Sequence, residues 1–96
     1  MTEQRKYFPI GTVVTLIDGI KPLMIYGRAQ KQKGSDAIFD YVACLYPEGN
    51  LSSDFNIFFQ HKDVGEVLFT GYQTEEDEKY QVLMCKSLQG AEQVLE

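Results

Sequence analysis

Few side chains in this 96-residue chain could do covalent or proton-transfer chemistry: one histidine, two cysteines and scattered carboxylates. His61 stands two residues from Asp63, and a carboxylate neighbour would raise an imidazole pKa and suit it to general-base work. The plainer reading is that His61-Lys62-Asp63 is a polar turn between two apolar runs. A lone histidine rules out a two-histidine metal site within the chain. Cys44 sits inside the apolar run FDYVACLY and Cys85 in a helical stretch, neither in a C-x-x-C pair. Both are expected as reduced thiols packed like small apolar groups. There is no glycine-rich phosphate loop and no dinucleotide fingerprint. The carboxylates cluster only at Glu75–Glu78, where a helix dipole and solvent account for them. The chemistry therefore predicts no enzyme, no cofactor and no metal.

Aromatic residues are the other candidates, with six Tyr, six Phe and no Trp. Aromatics on a small sheet can stack bases, but that function requires basic residues interleaved with them. The Phe-rich segment Phe55–Gln60 carries no Lys or Arg. Residues 1–33 hold six basic side chains against two acids, while 34–96 hold three against twelve, and the chain nets −5. That balance argues against binding a phosphate backbone. Tyr46, Phe58 and Tyr72 lie beside turns or on the alternate face of a strand, where burial is hardest. They are the expected anchors of a protein interface, with Glu48 and His61 on its rim.

The elements that would position these residues are short. Gly11–Ile17 reads as a first strand, Asp18-Gly19 as a hairpin signal, and Pro22–Arg28 as a second strand with a bulge or bend at Gly27. Ala29–Asp36 reads as a charged loop. Phe39–Tyr46 is apolar on both faces and predicts a central strand. It ends at Pro47-Glu48-Gly49, a turn with Gly49 at positive φ. Phe55–Gln60 and Val64–Thr70 complete five strands, with Val67 and Phe69 expected to share a face. Thr74 then opens a helix, with Asp77 three residues on as in a capping box. Its apolar residues Tyr80, Leu83, Met84 and Leu88 fall on one face, and Gly90 is its natural stop.

The fold class is therefore α+β: about five antiparallel strands, in a strongly bent sheet or small SH3-like barrel, with one C-terminal amphipathic helix. Residues 1–96 read as a single domain, with 1–8 frayed as Tyr7 and Phe8 begin to pack, strands within 9–71 and the helix at about 74–89. No apolar run approaches the ~20 residues needed to cross a bilayer, and MTEQRKYFPIG lacks the apolar core of a signal peptide. A cytoplasmic location is expected.

Taken together, PIGTVV, MIYGR, FDYVACLYPEG, FFQHKDV-x-x-VLFTGY and the acidic helix start resemble a family of small Firmicutes proteins. That family is classed as a domain of unknown function and is encoded beside LXG toxins of the type VIIb secretion system. The likeness covers roughly residues 8–80, and its specificity lies in the order of LYPEG, F-F-x-H-x-D-[IV] and V-x-F-x-G-Y. Ser52-Ser53 after the turn and Gly65 after Val64 depart from the pattern, which concerns loop shape or partner choice and does not disturb the strands. The resemblance implies a cytoplasmic accessory or targeting chaperone that binds the helical region of a secreted toxin, and it implies no catalytic residues. Two alternatives stay open: an immunity protein that binds the toxin's C-terminal domain, or a small nucleic-acid-binding regulator.

Overall fold

A computed structural model describes residues 7–32 and 34–94, with 87–94 given as helix backbone. The strands are β1 (Val13–Leu16), β2 (Leu23–Lys31), β3 (Ile38–Leu45), β4 (Ile57–Phe59) and β5 (Val64–Phe69), followed by the helix α1 (Glu75–Val94). All pairings are antiparallel, and the five strands form one open sheet in the order β4-β3-β2-β1-β5. Barrel closure does not occur, since β4 and β5 are the two edges.

Strong bending does follow from the connectivity. The chain passes from Phe59 at one edge to Val64 at the other through a single 3-10 turn, His61–Asp63. Such a segment spans at most ~15 Å, whereas the outer strands of a flat five-stranded sheet stand ~19 Å apart. The sheet must curl to bring its edges together, and the bulges allow this. One falls in β2 at Ile25/Gly27, where a Cβ on Gly27 would meet Val42 Cγ1 at 2.6 Å. Glycine is required there for close approach.

β3 is the central element, as its apolar run predicts. Asp40–Cys44 is buried residue by residue, on both faces. Tyr41 lies at the middle of the core, with the rings of Tyr7, Phe8, Phe59 and His61 all within 6 Å of its own centroid. Val14, Leu23, Ile25, Ala43 and Met84 complete this core between the sheet's inner face and α1.

The structure corrects several expectations. Tyr7 is 4% exposed and Phe8 packs on the core, so neither is frayed; Met1–Lys6 lie outside the described residues. Ala29–Lys31 continues β2, with Gln30 opposite Phe39 and Lys31 opposite Ile38, although Ala29 takes a φ of +55°. Phe55 belongs to a 3-10 turn, Ser53–Phe55, capped by Ser52. Gly90 does not stop the helix, which runs on to Val94. Its sheet-facing stripe is Asp77, Gln81, Met84 and Cys85, while Tyr80 and Leu83 are exposed. The side chain of Leu88, expected on the apolar face, lies outside those described.

Candidate functional site

Polar groups hold α1 and the N-terminal segment to the sheet. Thr74 Oγ1 accepts from the Asp77 backbone N–H at 3.0 Å, the first half of a capping box. The Asp77 carboxylate is engaged by Arg28, whose two terminal nitrogens donate to it at 2.7 and 3.2 Å. The Arg28 side chain is only 4% exposed and also donates to the carbonyl of Phe8. Its guanidinium lies 5.8 Å from the Tyr80 ring centroid. The Arg28 hydrogen bonds hold the Asp77 carboxyl below the usual Asp range; burial opposes them, and the Gln81 amide lowers it further. Gln81 in turn pairs with the Tyr7 backbone as a neighbouring strand would: its Oε1 accepts from Tyr7 N–H at 2.8 Å and its Nε2 donates to Tyr7 O at 3.2 Å.

Beside this latch lies a polar cavity of about 330 Å³, with Tyr7, Phe8, His61, Gln73, Asp77 and Glu78 among its walls. His61 stacks on Phe8 at 4.8 Å, and its Nδ1 lies 2.6 Å from the Tyr41 hydroxyl. The His61 backbone N–H donates to the buried carboxylate of Asp40 at 2.7 Å. The expected Asp63 partner is used elsewhere: its Oδ2 accepts from the Gln60 N–H and closes the 3-10 turn. His61 is thus part of the packing around Tyr41. Among the described residues no three of His, Cys, Asp and Glu gather at metal-binding distance. Neither Cys44, which is buried, nor Cys85, which is half-buried, is in a disulfide.

The sheet's other face carries a site of a different kind. Alternation places Val13 of β1, Met24 of β2 and Tyr46 just past β3 on the face away from α1. β5 would contribute only every second residue, but its register against β1 jumps between Val13↔Phe69 and Val14↔Val67. Leu68 is the extra residue of a bulge, and such a bulge re-aims side chains. Val67 therefore stands opposite the buried Val14 while Phe69 stands opposite Val13, on opposite faces and not the same one. Leu68 and Phe69 together form one wall of an open groove of about 480 Å³ whose other walls are Val13, Pro22, Met24 and Tyr46. No charged side chain lines it. At its end the Lys21 ammonium bridges to both carboxylate oxygens of Glu48, at 2.8 and 2.9 Å. That bond holds the Glu48 carboxyl below its ordinary range.

The five residues expected at an interface do not form one patch. Tyr46, half exposed, lines the groove, and Glu48 lies two residues beyond it in the Lys21 pair. Phe58 is half-buried with its ring against Phe39, and His61 is held on the other side by Tyr41 and Phe8. Tyr72 is 86% exposed but lines no groove described above. Leu68 and Phe69 were the residues missed. Their signal in the sequence is the unbroken triplet Val67-Leu68-Phe69, which a strand with one wet face would not carry. No helix among the described residues is long and apolar enough to cross a membrane. No curated protein and no solved structure matches the chain. The model of the family described as a domain of unknown function (DUF4176) matches residues 7–80, and the chain belongs to that family.

Proposed function

We propose that this chain is a non-enzymatic, cytoplasmic protein-binding module, a targeting chaperone or accessory factor for an LXG toxin of the type VIIb secretion system. The observation that carries the reading is the bulge at Leu68, which turns two large apolar side chains into a groove opposite Tyr46. α1 covers only the inner face of the sheet, so this apolar face is left for a partner. A groove without charge suits one face of an amphipathic helix, which docks apolar side chains at i, i+3 or i+4, and i+7. The helical region of a toxin presents such a face, and the resemblance of LYPEG and its following segments to the toxin-associated family points to that region. The titratable groups nearest to catalytic chemistry, His61 and Asp40, are hydrogen-bonded into the fold.

The test is capture of the cognate toxin in two halves by the immobilised chain. Retention of the N-terminal helical half, lost in Tyr46→Ala, is the expected result. Retention of only the C-terminal half would make the chain an immunity protein. A purified chain that carries absorbance at 260 nm and retains neither half would point to nucleic acid.

A further inference from the structure

The loop that leads into the groove wall carries an exposed apolar side chain. The β1–β2 loop carries Ile20, 92% exposed, two residues before Pro22 in the groove wall, and Ile17, which follows β1 directly, is 59% exposed. We infer that in the absence of its partner the chain forms a two-fold dimer in which the Ile20 loop of each copy seats in the other's Tyr46–Phe69 groove. The inference concerns the regulation of the site assigned above and rests on that reading of the groove.

Two features favour a second copy as the occupant. The first is self-complementarity. A two-fold interface must carry knob and hole on one patch, and this patch has both. It also carries both charge signs, Lys21 next to Ile20 and Glu48 near Tyr46. Across a two-fold axis Lys21 of one copy can face Glu48 of the other, and the exposed pair within each chain is weak enough to exchange. The second feature is area. A stable interface buries ~800 Å² per partner, and in homodimers ~65% of it is apolar. Phe69 at 64% and Tyr46 at 50% exposure leave on the order of 100 Å² each, given the 150–250 Å² of an aromatic side chain. With Ile17, Ile20 and Leu68 the exposed apolar surface comes to roughly 500–600 Å², at the top of what a monomer normally leaves open. It matches the apolar share of one half of such an interface. A partner helix entering the groove displaces the loop, so dimer and complex exclude one another.

Sedimentation or light scattering of the purified chain over a concentration series around ~10 µM, the range fitting an interface of this modest size, tests the inference. The expected result is a monomer–dimer equilibrium that shifts at least tenfold toward monomer in Ile20→Ser and in Phe69→Ser. Ile20 is 92% exposed, so its variant folds as the parent does. Tyr72→Ser, which removes an exposed aromatic outside the groove, should leave the equilibrium unchanged. A parent chain that stays monomeric throughout, or a dimer that survives either Ile20→Ser or Phe69→Ser, overturns the inference. A monomeric parent whose toxin binding still depends on Tyr46 rejects the dimer alone. A dimer broken by both substitutions, with toxin binding unaffected by Tyr46→Ala, rejects the groove as the toxin site alone.

Discussion

Arg28 and Asp77 join the sheet to α1 through a bidentate ion pair. Read from sequence they are one basic residue at the end of a strand and one acid among four in a helix start. In the fold Arg28 is buried and Asp77 is its hydrogen-bonded counter-ion. Asp77→Asn leaves a buried guanidinium without its charge partner, which typically costs about 3 kcal/mol or more. A denaturation midpoint within experimental error of the parent would show that the pair is dispensable. Because the folded Asp77 carboxyl titrates below its ordinary value of 3.8, its contribution is fully present above that value and is lost as pH falls through the lower folded value. The parent should therefore lose stability in acid below the ordinary Asp range more steeply than Asp77→Asn does. Gly49 is a simpler case. Its φ is +85° and a Cβ there would meet nothing within 4 Å. Gly49→Val should cost about 1–2 kcal/mol through backbone strain alone. Thermal melts that show no loss would contradict that assignment.

At the scale of elements, the strands were legible because apolar runs and turn residues agree along most of the chain. Phe39–Tyr46 predicted a strand buried on both faces, and Asp40–Cys44 is so buried. Two readings failed for a shared reason: polar residues were assigned to solvent. Gln30 and Lys31 looked like loop but extend β2, because backbone pairing with Ile38 and Phe39 does not depend on apolar side chains. Asp77 was grouped with the solvated acids of the helix start, and Gln81 stood outside the expected apolar stripe of α1. They face inward because Arg28 and the Tyr7 backbone supply the partners that make burial tolerable. Met84 is the one apolar side chain of α1 buried among those described, so the helix is seated largely by hydrogen bonds. Gln81→Leu keeps the size but removes both hydrogen bonds that the Gln81 amide makes to the Tyr7 backbone. It should cost about 1–3 kcal/mol and speed amide exchange at Tyr7 while protection in β3 persists at mild denaturant. Simultaneous loss of protection in both would show that α1 and the sheet open as one unit.

For the whole molecule, the curled sheet separates two surfaces of different character. Its inner face is closed by α1 and the Tyr41 cluster, and its outer face keeps an apolar groove open. Tyr46 was legible as a groove residue because it stands at a strand end before a turn. Leu68 and Phe69 were not, because a one-residue bulge reverses which side of β5 faces outward. The central claim is that this outer groove is where a protein partner binds. Calorimetric titration of the toxin's helical region into the parent chain, Tyr46→Ala and Phe69→Ala, alongside their melting temperatures, tests it most directly. Each substitution should weaken binding by about 2 kcal/mol or more, the cost of truncating an interface anchor, with the melting temperature nearly unchanged. Full-strength binding by both variants, or unfolding of both, would contradict the claim.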